Sequence, residues 1–272
     1  MPALYIVGTP IGNLEDMSLR AIRTLKEVSL IASEDTRTTR RLLAHFDIHT
    51  PLTSYFEHSK SGKLGYLLEK LQNGDVALVS EAGMPGISDP GYDLVVAAQE
   101  KGFKVIPIPG PSAAVTALAV SGLPTDSFRY IGFLPRKGSE RQKLLAAVRQ
   151  EETTLIAYEA PHRIGEALRD IINFLGNRKI AVCRELTKLH EEIFRGTAEE
   201  ALGHFTEPRG EFTLVIAGYE PGESTLSTKE IADRIKALKS SGKTAREAIP
   251  GLMNETGRSK KELYNIWVEP EK

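Results

Sequence analysis

A chain of 272 residues that is 41% hydrophobic and 26% charged holds enough apolar material for a core, which excludes a disordered or simple fibrous protein. A formal net charge of −1 excludes a uniformly basic nucleic-acid wrapper, and the single cysteine, Cys183, excludes an internal disulfide and a cysteine metal cluster, as suits a reducing cytoplasm. No apolar run approaches the roughly 20 residues that span a bilayer, and Met1 to Gly8 lacks a basic leader, so neither a membrane nor a signal peptide is expected.

Residues 4–7 read as a first strand, followed by the loop Gly8-Thr9-Pro10-Ile11-Gly12-Asn13. Residues 18–27 place Leu19, Ile22 and Leu25 at helical spacing, and 30–32 form a short buried strand ending at Ser33-Glu34-Asp35-Thr36. A helix over 38–45 brings Arg37, Arg40 and Arg41 close together. A helix over 63–72, a strand at 76–79, a helix over 92–101, a strand at 104–108 and a helix over 113–120 complete the first part. Strands alternating with helices predict a parallel sheet over residues 1–120.

The stretch 80–91, Ser-Glu-Ala-Gly-Met-Pro-Gly-Ile-Ser-Asp-Pro-Gly, holds three glycines and two prolines in twelve residues. Gly allows positive φ and a close backbone approach, Pro fixes φ, and the loop far exceeds the 2–6 residues of an ordinary strand-to-helix connection. It follows a strand, where open α/β sheets bind ligands. The loops at 8–13 and 109–113 also follow strands, and the three together are expected to enclose a small molecule with backbone groups.

Residues 121–126 are punctuated like a hinge. A second α/β unit over 121–219 is expected to hold strands near 130–133, 154–158, 180–183, 192–194 and 212–217, of open direction. Its helices lie over 162–174 and after two capping patterns, Ser139-x-x-Gln142 and Thr197-x-x-Glu200. Residues 218–225 have linker composition, and Ser227-x-x-Glu230 and Ser259-x-x-Glu262 open short helices in a helix-turn-helix-like module over 226–272. That tail carries ten Lys and Arg against seven Asp and Glu, a net of +3 that leaves −4 for the rest.

Several chemistries are excluded by spacing. Gly8-Thr9-Pro10-Ile11-Gly12 is not a dinucleotide fingerprint, and Gly242-Lys243-Thr244 lacks the earlier glycine of a phosphate loop. His58, His162 and His190 have no metal-type spacing, so no metal is expected, and Ser80 and Ser112 lack a hydrolase elbow. Polar groups do cluster at strand ends, in Tyr158-Glu159-Ala160-Pro161-His162-Arg163 and at Arg184-Glu185.

Residues 7–14, Ser33-Glu34-Asp35-Thr36-Arg37 and the 80–91 loop together resemble the tetrapyrrole-methylase fold family, the class III S-adenosylmethionine methyltransferases. Residues 158–163 and Arg184-Glu185-Leu186-Thr187-Lys188 are similar to the branch of that family that methylates the 2′-hydroxyl of a cytidine in 16S rRNA. The resemblance runs from Pro2 to about Ala217, and the tail resembles that branch's small helical module. It implies two α/β domains, 1–120 and 121–219, with S-adenosylmethionine in the cleft between them, and a cytoplasmic homodimer acting on 16S rRNA or the 30S subunit.

By motif position, the cofactor contacts implied are Pro10, Ile11, Ala82, Gly83, Met84, Ile87, Ser112 and Ala113, with Tyr158 and Thr213 from the second domain. Met84 stands where many tetrapyrrole enzymes of this fold carry Asp, which argues against a corrin or haem-precursor substrate. Glu159 or Glu81 would accept the ribose proton, with alignment and proton loss to water as a third route. Candidate RNA contacts are Arg37, Arg40, Arg41, Arg136, Lys137, Arg163 and Arg184. Two other readings compete, a methyltransferase of small tetrapyrroles and a non-catalytic RNA-binding member of the fold; the basic clusters and the tail speak against the former.

Overall fold

In the computed structural model, which describes residues 2–56, 60–220, 228–256 and 260–268, the first part alternates strictly between strand and helix. In chain order it comprises β1 (Ala3–Val7), α1 (Leu19–Glu27), β2 (Leu30–Ser33), α2 (Thr36–His45), β3 (Leu52–Ser54), α3 (Lys60–Asn73), β4 (Val76–Val79), α4 (Tyr92–Glu100), β5 (Lys104–Ile108) and α5 (Ala113–Ser121). The five strands are parallel, in the order β3-β2-β4-β1-β5. Leu4, Ile6, Leu30 and Leu78 face Leu67, Leu71 and Leu94 of α3 and α4. Val7, Ile31, Ala77 and Val79 face Ala21, Leu25 and Leu43 of α1 and α2. Cover on both faces is why these strands read as unbroken apolar runs.

The helix at Thr36 starts two residues earlier than its apolar spacing predicts, because the Asp35 carboxylate accepts from the Arg37 N–H at 2.7 Å and caps it. Strand β3 is absent from the sequence expectations; it is a three-residue edge whose Leu52-Thr53-Ser54 shows no apolar run.

The second part comprises β6 (Phe128–Phe133), α6 (Gly138–Ala147), β7 (Thr154–Glu159), α7 (Ile164–Leu175), β8 (Lys179–Arg184), β9 (Glu192–Thr197), α8 (Ala198–His204) and β10 (Phe212–Ile216). Its sheet is mixed, in the order β6-β7-β10-β8-β9, with β6 parallel to β7 and the remaining pairs antiparallel. Side chains alternate across it: Leu155, Ala157, Val182 and Leu214 pack under α6, α7 and α8, whereas Ile156, Ala181 and Val215 pack against Ala114, Ala117 and Leu118 of α5. Thus α5, which follows the last strand of the first sheet, covers the second sheet.

The Thr197–Glu200 capping box forms as expected. The one expected at Ser139 does not: Lys137 is the N-cap, and Gln142 donates to Asp170 at 3.3 Å while Arg141 holds the same carboxylate at 2.6 Å. The helix expected over 162–174 is preceded by a 3-10 turn at Pro161–Arg163, because a proline opens it.

Contacts divide the chain into residues 1–218, which hold both sheets, and residues 219–272. The latter unit contains α9 (Thr228–Ser240), α10 (Ala245–Thr256) and α11 (Lys260–Val268), packed through Ile231, Ile235, Ile249, Leu252 and Leu263. Glu247 accepts from the Thr244 N–H and hydroxyl, at 2.9 and 2.8 Å, and so fixes the start of α10. Ser227, Arg258 and Ser259, with their expected caps, lie outside the described residues. Among the described residues no helix is long and apolar enough to cross a membrane.

Candidate functional site

The parallel sheet delivers the loops after β1, β2, β4 and β5 to one edge. β1 and β5 are neighbours, with Val7 opposite Ile108, and their loops cross closely: a Cβ on Gly8 would stand 2.7 Å from the Gly110 Cα. Glycine at both positions permits that crossing. The 80–91 loop is then tied to the first loop by two backbone bonds, Thr9 N–H to the Gly83 carbonyl at 2.9 Å and Gly83 N–H to the Thr9 carbonyl at 3.0 Å. Gly83 has φ +85°, a left-handed conformation that suits glycine. Ser88 holds φ +60°, and its hydroxyl shares a 2.6 Å hydrogen bond with the Tyr130 hydroxyl.

The opposite wall comes from the second sheet. Thr213 on β10 pairs with Tyr158 on β7 and with Cys183 on β8, so three side chains stand in one row on one face. The Tyr158 hydroxyl accepts from the Ala114 N–H at 3.1 Å, satisfying one of the free donors at the start of α5. The Tyr130 and Phe133 rings meet Tyr158 edge-on, each with centroids 5.3 Å away. Burial pushes the Tyr158 hydroxyl well above its usual range and the Cys183 thiol up to about 11, so both stay protonated and neutral.

Between these walls lies a cleft of about 450 Å³. Ile11, Ala82, Gly83, Met84, Ile87, Ser112, Ala113, Tyr158 and Thr213 all line it, as do Glu81 and Glu159. Pro10 does not; it lines a neighbouring cavity of about 380 Å³, together with Leu14, Thr38, Arg41 and Leu42. Ile11 borders both spaces. Met84 packs into the apolar layer of the first sheet, its sulfur 2.7 Å from where a Gly8 Cβ would be.

Asp89, which the sequence patterns do not single out, also lines the cleft. Burial and then the nearby Glu34 push its carboxyl up to about 6, against the opposing effect of a hydrogen bond from the Ser80 side chain. An Asp in a Gly/Pro loop is the ordinary composition of a turn, so its spacing carries no sign of this environment. Phe133, Leu186 and Glu211 are further lining residues that pattern alone misses.

Glu159 is 2% exposed, and its Oε1 accepts from the Ala160 N–H at 2.7 Å and pairs with Arg163 at 2.5 Å. Burial raises its pKa, with the Ala160 N–H and Arg163 opposing. Arg163 also donates to the Leu134 carbonyl at 3.2 Å. The Arg163 guanidinium is thus largely enclosed and paired with Glu159. Arg184 is likewise paired with Glu192 at 3.1 Å, with about a quarter of its side chain exposed. Arg37, Arg40, Arg41, Arg136 and Lys137 are exposed, Arg37 beside Asp35 at 3.3 Å and Lys137 beside Glu140 at 3.7 Å. Among the described residues no group of three His, Cys, Asp or Glu side chains could hold a metal ion.

Residues 3–202, which supply the loops of the parallel sheet and most of the mixed sheet, match the family model of the Tetrapyrrole (Corrin/Porphyrin) Methylases, and the chain belongs to that family. Among its relatives is the Ribosomal RNA small subunit methyltransferase I of Halalkalibacterium halodurans, 49% identical across 97% of this chain and 94% of the relative. The protein of the same name from Synechocystis is 50% identical across 100% of this chain and 99% of its own length. Solved structures share the fold at lower identity: uroporphyrin-III-C-methyltransferase of Thermus thermophilus (18% identical, TM-score 0.58, 80% of this chain and 94% of that one) and a diphthine synthase (17% identical, TM-score 0.63, 88% and 95%).

Proposed function

We propose that the chain is an S-adenosylmethionine-dependent methyltransferase acting on the ribose 2′-hydroxyl of a cytidine in 16S rRNA of the small ribosomal subunit. The observation that carries this reading is 49–50% identity over nearly the whole length of relatives named for small-subunit rRNA methylation. The cleft fits the cofactor: its volume of about 450 Å³ lies in the small-molecule range, and one wall is glycine-rich backbone while the other is apolar and aromatic. Ala82, Ser112 and Ala113 would hold it by main-chain groups, with Ile11, Gly83, Met84, Ile87, Tyr158 and Thr213 enclosing it.

When bound, S-adenosylmethionine supplies a methyl group already activated on sulfur, so the chain's own residues have to align the acceptor oxygen, exclude water and take a proton. Of the two candidate acceptors, Glu159 is buried and fixed by Arg163, whereas Glu81 is exposed and borders both the cleft and the neighbouring cavity. Glu81 is the better placed. Arg37, Arg40, Arg41, Arg136 and Lys137 would contact phosphates.

The resemblance also implies a homodimer, which requires twice the mass of one chain in light scattering. Residues 226–272, net +3, are read as a module that helps dock rRNA. Truncation after Tyr219 should then preserve cofactor binding, weaken rRNA binding and flatten its salt dependence, whose log–log slope is roughly −0.7 to −0.9 per neutralised phosphate. A full slope in the truncated protein would remove the tail from the interface. The central reading is tested by transfer of a labelled methyl group to 30S subunits and to free 16S rRNA, followed by nuclease mapping. Label on a cytidine ribose is the expected result, and label on a base, or none on either substrate, overturns it.

A further inference from the structure

The two cavities described above share a wall. Ile11, Glu81, Ala82 and Glu211 border the cofactor cleft and also border the second cavity, about 380 Å³ in volume, between the loop after β1 and the helix α2. We infer that this second cavity receives the single nucleoside to be methylated, turned out of the RNA strand so that its ribose meets the methyl donor at the Glu81–Ala82 wall. The inference rests on the methyl-transfer reading and specifies where its acceptor sits.

Three observations carry it. The position is right, because a ribose in this cavity borders the same residues that border the donor. The lining is mixed in the manner a nucleoside needs: Leu14 and Leu42 offer apolar surface to a base face, while Thr38 and Arg41 offer hydrogen-bonding groups. Sequence-specific RNA recognition works on unstacked bases in this way, with their faces covered and their edges hydrogen-bonded. The charge outside is also right: α2, whose Thr38, Arg41 and Leu42 line the cavity, carries exposed Arg37 and Arg40 that can hold the phosphates on either side. Lys188, at another part of the rim, is already held by Glu185 at 2.9 Å and Glu211 at 2.7 Å, so it contributes shape more than free charge.

The bond changes balance with these residues. The ribose O–H bond breaks and its proton passes to the Glu81 carboxylate. The oxygen forms a bond to the methyl carbon as the carbon–sulfur bond breaks, and that electron pair returns to sulfur, leaving a neutral thioether.

The test fills the second cavity and leaves the first alone. Leu14→Trp is made at an exposed position of a short turn, and Thr38→Tyr at an exposed position of α2, so neither depends on repacking the core. Methyl transfer from labelled S-adenosylmethionine to 30S subunits is measured beside cofactor affinity by calorimetry. The expected result for both variants is a kcat/KM toward 30S at least tenfold below wild type, with cofactor Kd within twofold. Wild-type kcat/KM in both variants overturns the inference, as does a loss of cofactor affinity equal to the loss of turnover, which would make the cavity part of the cofactor site. If the wild-type protein itself transfers no methyl group to 30S, the methyl-transfer reading fails instead, before the variants are compared.

Discussion

The two sheets build opposite walls of one cleft by different means. In the first, all strands run the same way, so every strand ends at the same edge and the wall is made of loops: Ile11, Ala82 to Met84 and Ser112 to Ala113. In the second, β7, β10 and β8 run in alternate directions, and the wall is the face of the sheet itself, where Tyr158, Thr213 and Cys183 stand in register. A loop wall presents backbone donors and acceptors and depends on the few glycines that shape it. A sheet wall presents side chains, each replaceable without moving its neighbours. The first should tolerate almost no change at its crossing points, and the second should lose function in small steps.

The largest expected effect sets a carboxylate of the loop wall against one of the sheet wall. Glu81→Gln should lower kcat by about 10²–10⁴, the usual contribution of a general base. Glu159→Gln should instead act mainly on stability, because it leaves the enclosed Arg163 without its anion, a change worth about 3–5 kcal/mol for a buried pair. Turnover on 30S and thermal unfolding, measured on both variants, decide the matter; the opposite pattern would move the proton acceptor to the sheet.

Next is Gly8→Ala. The added methyl has Gly110 backbone in its way, and overpacking of this kind costs about 1–3 kcal/mol. Because the crossing positions the Thr9–Gly83 bridge, cofactor affinity should fall at least about tenfold, or ~1.4 kcal/mol. Calorimetry showing unchanged affinity would mean that the loop wall is more forgiving than its geometry implies. On the sheet side, Tyr158→Phe removes the hydrogen bond from Ala114, worth about 0.5–1.5 kcal/mol, together with the hydroxyl's contact with Tyr130, and should weaken cofactor binding roughly three- to tenfold. A loss as large as that of Gly8→Ala would erase the distinction between the two walls.

The smallest effect is a pH dependence. The Asp89 carboxyl is raised from 3.8 to about 6, so as pH climbs from about 4 to about 6 the unfolded chain gives up this proton before the folded one does, and folded stability falls across that window. Asp89→Asn should therefore stabilise the protein above pH 6 and leave it unchanged below pH 4. The gain is on the order of 1 kcal/mol once partial exposure to solvent is discounted. Melting curves at acid and neutral pH that shift equally would show that the loop does not hold this carboxyl in a raised state.

Much of the fold is legible in single strands because both sheets are covered on both faces, which leaves compact apolar runs such as Val76-Ala77-Leu78-Val79 between Gly- and Pro-rich loops. Strand β3 escapes that reading because an edge of three residues has too little apolar surface to make a run. The order and directions of the second sheet escape it too, since nothing local to β10 says that it runs between β7 and β8. Among site residues, the glycines of the 80–91 loop announce themselves by density, whereas Asp89 looks like any turn aspartate. Arg163 and Arg184 look like open cations because sequence displays a charge without its partner, and Glu159 and Glu192 supply those partners only in three dimensions.

The place of β10 has a consequence for how the chain is made. The first sheet ends with an edge strand, β5, so once residue 108 has been synthesised every strand it needs exists. The second sheet needs its last strand in the middle: until residues 212–216 appear, β7 and β8 have no ladder between them, and their facing edges lack partners. A nascent chain paused between the two thus carries a finished half and a half with open strand edges of the kind that pair with other chains. Chains arrested at residue 205 should yield a protease-resistant fragment from the first sheet and none from the second, while arrest beyond residue 218 should protect both.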